Sequence, residues 1–259
     1  AIEVLKELIA SNSISRSVKA NSKISMGDYY LMTGEIWEAT LLYSQVEKSN
    51  KEGYIGETAR FKNAMLSYYA GKFEWAQEKF SILKTATSKL ISNDAIDMSI
   101  FIMDNIGLDT TDVPLKMFSE AELFTVQNKF DEAFINFLCS IGIKAQRADT
   151  KNKKLPDILV LDKTRNIKAY IEHKYHHAPF MLSHKLIGRE SYEGSITMDT
   201  NKLKKQIIEC ESEIGDRPVY VVHWIDFHHL KGVFFNTISQ IKDYLDNENA
   251  SEFQRKDRE

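Results

Sequence analysis

Two acidic side chains and a lysine in the second half of the chain have the types and spacing that phosphodiester hydrolysis needs. Pro156 and Asp157 open one apolar segment, and Glu172, His173 and Lys174 close the next. Carboxylate oxygens are the hard ligands that Mg²⁺ prefers, and a bound ion polarises a phosphoryl group and activates a water molecule. An ammonium group beside the ion can orient that water and offset the charge of the transition state. We therefore assign Asp157 and Glu172 to metal binding and Lys174 to the attacking water and the phosphate.

A predicted β-hairpin can bring these three side chains together. Ile158–Asp162 and Lys168–Lys174 have strand character, and Asp162–Asn166 between them is typical of a turn. Side chains two residues apart on a strand point to the same face, so the glutamate and the lysine of the second strand project together. Pairing across the hairpin brings the aspartate to the same place, at the end of a sheet.

The rest of the second half alternates between strand and helix patterns. The remaining predicted elements are a strand at Ile143–Ala148, a helix at about Asp199–Ile214, strands at Val219–Trp224 and Gly232–Phe235, and a closing helix at about Ile238–Leu245. A helix, three strands, a helix and a strand in succession are typical of the α/β fold class.

The Pro-Asp and Glu-x-Lys elements resemble the motif of the PD-(D/E)XK nuclease superfamily, over about residues 126 to 245. The resemblance implies a restriction-endonuclease-like α/β core. It also implies a Mg²⁺-dependent endodeoxyribonuclease, of restriction or defence type, in which Mn²⁺ substitutes for Mg²⁺. The residue between the glutamate and the lysine is usually apolar in this family. Here it is His173, which we predict to be a buried, hydrogen-bonded imidazole.

The helix before the motif carries a further candidate metal ligand. Glu132 lies on it, and Leu138 and Gly142 follow at spacings similar to those of the first helix in the nuclease family. Glu132 is therefore either an additional acidic group at the metal or a solvated helix carboxylate. The other histidines show no zinc-binding spacing, and we interpret them as loop and site-edge residues that could contact phosphate.

Positive charge is concentrated around the predicted centre. Residues 144–205 hold 14 basic and 7 acidic side chains, whereas residues 1–137 hold 14 and 19, and residues 206–259 hold 6 and 11. A nucleic-acid-binding protein needs local positive potential rather than a high overall pI, although charge alone also fits a merely solvated surface. The predicted DNA contacts are Lys153, Lys154, Arg189, Lys204, Lys205 and Gln206.

The first half follows a helical-hairpin pattern. Each unit has a Gly or Asn between two amphipathic stretches and a small Ala five residues later, at Gly34 and Ala39, at Gly71 and Ala76, and at Asn128 and Ala133. An aromatic residue four positions after each Ala lies on the same helix face and is predicted to fill the gap beside it, namely Tyr43, Phe80 and Phe137. This spacing resembles the tetratricopeptide repeat, which implies an α-solenoid that binds a protein or peptide partner. The spacing from Ala76 to Ala133 is longer than the spacing from Ala39 to Ala76. An extra helix around Asn93–Ile106, ended by Gly107 and followed by a loop at Leu108–Pro114, accounts for this difference. An irregular helical bundle is the alternative.

We place tetratricopeptide-like repeats in residues 1–125 and the nuclease-like domain in residues 126–259, with the helix at 126–141 claimed by both patterns. A natural fusion and an engineered chimera would look alike here. The expected fold class is thus α plus α/β, an α-solenoid joined to the nuclease-like core. The alternative function is a non-catalytic tetratricopeptide-type scaffold with an inactive nuclease-fold module.

No apolar run is long enough to cross a bilayer and no signal-peptide pattern is visible, so we expect a cytoplasmic protein without a membrane partner. A homodimer would be expected if the protein cuts both DNA strands symmetrically.

Overall fold

The computed structural model describes residues 1–108, 111–149, 155–177, 215, 217–227 and 231–246. The chain divides into two compact units, Ala1–Gly142 and Ile143–Glu259. The first is helical and the second contains a mixed sheet, so the chain is of the mixed α/β class. No helix in the described part of the chain is long and apolar enough to cross a membrane.

The first unit is built from helices that pair across short turns. They are α1 (Ile2–Ala10), α2 (Arg16–Thr33), α3 (Ile36–Ser49), α4 (Tyr54–Tyr69), α5 (Phe73–Leu83), α6 (Lys89–Leu108), α7 (Val113–Val126) and α8 (Phe130–Ser140). The turns after α2, α4 and α7 are made by Gly34, Gly71 and Asn128, whose φ angles of 91°, 68° and 58° are left-handed. Glycine and asparagine tolerate this conformation best, so the predicted turn positions are confirmed.

Buried alanines let the paired helices approach each other closely. Ala39, Ala76 and Ala133 are all fully buried on α3, α5 and α8. One turn later Tyr43 and Phe80 are also buried, which confirms the predicted small-then-large packing in the first two pairs. In the third pair the predicted Phe137 is only half-buried, and Phe134 is the buried aromatic of α8 instead.

The predicted extra helix is longer than the sequence pattern indicated. It begins at Lys89 rather than near Asn93, and it continues through Gly107 to Leu108. The predicted loop up to Pro114 was wrong at its end, because α7 already begins at Val113. Proline is accepted in a first helical turn, where its missing N–H would have no partner within the helix.

The second unit contains β1 (Ala145–Arg147), β2 (Ile158–Leu161), β3 (Ile167–His176), β4 (Val219–Asp226), β5 (Lys231–Thr237) and α9 (Ile238–Asp246). The strands lie in the order β1-β2-β3-β4-β5, with β3 and β4 parallel and every other neighbouring pair antiparallel. Each strand overlaps a predicted one, and α9 matches the predicted closing helix. The predicted helix at Asp199–Ile214 lies outside the described residues.

The predicted hairpin turn between β2 and β3 is confirmed. One carboxylate oxygen of Asp162 accepts hydrogen bonds from the backbone N–H groups of Thr164 and Asn166, at 2.8 and 2.9 Å, and Arg165 has a φ of 67°. An aspartate that bonds its own turn in this way stabilises the reversal of the chain. The pairing of β2 with β3 then shifts by one residue between Val160 and Leu161.

Apolar side chains support the sheet on the face that also carries the candidate site. Ala148, Leu159 and Tyr170 form a buried cluster at one end of this face. Further along, Val221 of β4 is buried against Ile238 and Ile241 of α9. The polar residues of this face are therefore flanked by tightly packed apolar side chains.

Candidate active site

The antiparallel register of β2 and β3 positions the three predicted catalytic side chains. Ile158 pairs with Ile171, so Asp157, just before β2, falls across from Glu172. Glu172 and Lys174 are two residues apart on β3 and share a face. Next to the Asp162 turn, Leu161 pairs with Ile167, and an irregularity between Val160 and Leu161 then shifts the register by one residue. This shift places Asp157 across from Glu172 rather than from Ile171, because a one-residue slip moves every side chain to the other face.

The three side chains are in contact, as the sequence predicted. The Lys174 ammonium donates a hydrogen bond to Glu172 Oε1, and its Nζ lies 3.8 Å from Asp157 Oδ2. Asp157 Oδ2 also accepts a hydrogen bond of 3.1 Å from the backbone N–H of His173. The main chain of β3 thus holds the aspartate in place, while the lysine joins the two carboxylates. The catalytic role of this cluster stays a prediction.

The cluster is buried on one side and open to water on the other. The side chain of Glu172 is 2% exposed, whereas those of Asp157 and Lys174 are 25% and 26% exposed. Burying the Glu172 charge is costly unless an opposite charge and hydrogen bonds compensate, and Lys174 supplies both. The open side leaves Asp157 and Lys174 accessible to water and to a ligand.

The oxygen atoms of Asp157 and Glu172 fit a hard divalent cation. Two carboxylates and one ammonium leave a net negative charge, which attracts such an ion. Among the described residues, no group of three or more His, Cys, Asp or Glu side chains is arranged to hold a metal. Two carboxylates suit an ion that keeps most of its water shell, as Mg²⁺ does with one or two carboxylates.

The remaining predicted site residues lie either in the first unit or outside the described residues. Glu132 lies in the first turn of α8, within the first unit, whereas Asp157 and Glu172 belong to the second. Its assignment as a metal ligand stays a prediction. The predicted DNA contacts Lys153, Lys154, Arg189, Lys204, Lys205 and Gln206 lie outside the described residues.

His173 is buried, as predicted. It points to the opposite face of β3, where its ring centroid lies 6.1 Å from that of Trp224. Its side chain thus takes the place of an apolar core residue, and its backbone N–H is the group that holds Asp157.

A pair of histidines beyond Lys174 was not predicted. His176 Nε2 lies 3.1 Å from His223 Nδ1, and the rings stack at 25° with centroids 5.4 Å apart. His176 ends β3 beside the candidate site, in agreement with its interpretation as a site-edge residue. The same interpretation was wrong for His223, which lies inside β4 and is 3% exposed. No local sequence pattern indicates the pair, because it depends on the parallel register in which Lys174 lies beside His223.

Burial and neighbouring positive charge keep both imidazoles neutral. Burial, the charges of His176 and Lys174 and the neighbouring His173 lower the pKa of His223 to about 4. Burial and then Lys174 also lower the pKa of His176 below its ordinary value. The two rings therefore interact near neutral pH as a neutral hydrogen-bonded pair.

A second group of bonded side chains lies at the same end of the sheet, on the face opposite the candidate site. Tyr175 donates to Asp226 Oδ2 at 3.1 Å, and Lys231 Nζ lies 2.6 Å from Asp226 Oδ1. Burial, followed by the interaction with Asp226, raises the pKa of Tyr175 to about 12. This network ties β3, β4 and β5 together where the candidate site is located.

Comparisons with protein-family models, with curated proteins and with solved structures gave no match to this chain.

Proposed function

We propose that the second unit is a Mg²⁺-dependent endodeoxyribonuclease of the PD-(D/E)XK kind. The observation that carries this proposal is the convergence of Asp157, Glu172 and Lys174 on one face of the sheet. A metal-binding carboxylate pair with an ammonium group beside it matches the needs of phosphodiester hydrolysis. A structural ion pair would need only one of the two carboxylates.

Each residue of the cluster has a separate task in this mechanism. Asp157 and Glu172 would hold Mg²⁺, which when bound polarises the phosphate and lowers the pKa of a coordinated water. The Lys174 ammonium orients the attacking water and stabilises the charge on the phosphate oxygens. The backbone N–H of His173 keeps Asp157 in a fixed orientation, and burial of Glu172 excludes bulk water from one side. As the water oxygen bonds to phosphorus, the bond to the leaving oxygen breaks.

We propose further that the first unit is a tetratricopeptide-like scaffold that recruits or regulates the nuclease through a protein partner. Three helix pairs with left-handed Gly or Asn turns and buried alanines support this assignment. The side chains of Trp37 and Trp75, on α3 and α5, are 84% and 62% exposed. Exposed tryptophans favour protein contact, since aromatic residues are enriched at protein interfaces.

The same tryptophans favour a second candidate function, a scaffold whose nuclease-type fold does not cut DNA. Cleavage of supercoiled plasmid by the full chain distinguishes the two. With Mg²⁺ the enzyme nicks or linearises the plasmid, EDTA stops the reaction, and Lys174→Ala lowers the rate about 100-fold or more. Lys168→Ala is the matched control, because Lys168 is an exposed lysine of the same strand.

Two results would reject the enzyme. No cleavage with any divalent metal, while DNA still binds, would assign the fold to a non-catalytic module. Equal loss of activity in Lys168→Ala and Lys174→Ala would show that the assay detects general positive charge rather than the cluster.

A further inference from the structure

We propose that His176 binds the DNA phosphate next to the scissile one as an uncharged N–H donor, and that His223 is the positioning residue that sets its tautomer. This inference rests on the proposed nuclease function and assigns a substrate contact to a pair that the motif does not include. Three observations carry it, namely the shared face, the spacing along β3 and the hydrogen bond between the rings.

Lys174 and His176 are consecutive residues on the candidate-site face of β3. Two residues along a strand span about 6.6 Å. This is on the scale of the separation between neighbouring phosphates of one nucleic-acid strand. A DNA strand that places its scissile phosphate at Lys174 can therefore place the next phosphate at His176. Half-burial of His176 leaves part of its ring open to a ligand.

The hydrogen bond with His223 decides what His176 can offer to that phosphate. Only one hydrogen fits between His176 Nε2 and His223 Nδ1 at 3.1 Å. When His223 Nδ1–H donates, His176 Nε2 accepts, and the His176 proton then lies on Nδ1, where it can be donated. An anion at Nδ1 is compatible only with this tautomer, because the other one would present a lone pair. His223 is buried in β4 beside Lys174, so it acts on substrate only through His176.

The salt dependence of DNA affinity distinguishes an uncharged phosphate contact from a cationic one. Each Lys or Arg that neutralises a phosphate releases counterions and adds about 0.9 to the slope of log affinity against log salt. A neutral imidazole releases none, since the charge of the pair is already suppressed by burial and by Lys174. Removing His176 should thus weaken binding at every salt concentration without changing the slope.

The test is anisotropy of a short fluorescein-labelled DNA duplex bound to the full chain, with Ca²⁺ replacing Mg²⁺ and salt varied between about 50 and 200 mM. We expect His176→Ala to raise Kd about tenfold at every salt concentration with an unchanged slope. We expect His176→Arg to restore affinity at low salt and to steepen the slope by about 0.9. In the Mg²⁺ cleavage assay, His176→Ala should raise KM and leave kcat within about twofold of wild type.

His177→Ala is the matched control, because His177 is the adjacent histidine and is exposed. Unchanged Kd in His176→Ala would overturn the contact, and a slope reduced by about 0.9 would show that His176 binds as a cation. An equal effect in His177→Ala would remove the assignment to this pair. Wild-type protein that neither cuts nor binds DNA would reject the proposed function and this inference together. If the wild type cuts DNA and His176→Ala has the same Kd and KM as the wild type, the inference alone would be rejected. Circular dichroism of each variant verifies the fold.

Discussion

The buried carboxylate of Glu57 on α4 accepts hydrogen bonds from the residues at the start of α6. Its replacement by glutamine should lower the stability of the first unit. Glu57 lies in the first turn of α4 and is 6% exposed. Its Oε1 accepts hydrogen bonds from Thr87 N and Thr87 Oγ1, both at 2.7 Å, and its Oε2 accepts one from Ser88 N at 3.1 Å. Thr87 and Ser88 directly precede α6, so one side chain of α4 satisfies donors at the start of a helix 30 residues later.

The size of the effect follows from these three bonds. Glutamine keeps the shape of Glu57 but presents one oxygen and one NH₂ group, so a backbone donor of Thr87 or Ser88 loses its acceptor. A hydrogen bond to a charged group contributes about 1.5–3 kcal/mol. The favourable interaction of a carboxylate with a helix N-terminus adds about 0.3–1 kcal/mol. We therefore expect Glu57→Gln to lower the free energy of unfolding by about 2–3 kcal/mol at pH 7.

The pH dependence gives an independent check. Burial acts to raise the pKa of Glu57, but the hydrogen bonds from Thr87 and Ser88 outweigh it and lower the pKa below its ordinary value. A depressed carboxyl pKa stabilises the folded state above the unfolded-state pKa of about 4.3, and this stability is lost as the pH falls through the folded-state pKa. The difference between wild type and Glu57→Gln should therefore shrink below about pH 4.

The assay is urea unfolding followed by the helical circular-dichroism signal, at pH 7 and in steps down to pH 3. Glu74→Gln is the control, because Glu74 is an exposed glutamate of α5. A loss of less than about 0.5 kcal/mol in the free energy of unfolding of Glu57→Gln at pH 7, the range of an ordinary surface substitution, would contradict this prediction. A loss that stays constant as the pH falls would contradict it as well.

Three further predictions address close packing, a buried acid and the candidate metal site. Gly27→Ala would place a methyl group 2.5 Å from Cε1 of the buried Tyr43, and we expect a loss of about 1–3 kcal/mol in thermal unfolding. Burial raises the pKa of Glu122 despite a hydrogen bond from Tyr68. The folded state therefore binds a proton more tightly, and stability is lost as the pH rises towards that raised pKa. Glu122→Gln should remove this loss, so its stability relative to wild type should rise between pH 4 and pH 8. Asp157→Asn should abolish the rise in Tm that Mg²⁺ gives to the wild type.

Each prediction has an exposed counterpart that should leave the measured quantity unchanged: Ser25→Ala, Glu38→Gln and Asp104→Asn respectively. A Gly27→Ala variant as stable as wild type would mean that Tyr43 moves aside without cost. A Glu122→Gln variant with the same pH profile as wild type would contradict the raised pKa. A full Mg²⁺ response in Asp157→Asn would remove this aspartate from the metal site.

Local patterns predicted much of the fold because their causes are local. Gly34, Gly71 and Asn128 reverse the chain in a left-handed conformation that few other residues accept, so their positions predicted the turns. The Asp162 turn has a similar local origin and predicted the hairpin, but the one-residue shift between Val160 and Leu161 that brings Asp157 to Glu172 was not predicted. The start of α6 was missed although Ser88 directly precedes the helix and its side chain accepts a hydrogen bond from Ile91 N, as serine often does at a helix start.

The amino-acid sequence by itself thus determined the helix pairs, the β2–β3 hairpin and the meeting of two carboxylates with a lysine. Only the tertiary structure decided that His176 lies against His223 and that Tyr175 bonds Asp226. The physical reason is that a short turn keeps the register of a hairpin within the one-residue shift found between Val160 and Leu161, whereas a parallel pair has no such turn. The register of β3 and β4 is chosen by packing across the whole sheet, and with it the side chains that stand beside Lys174.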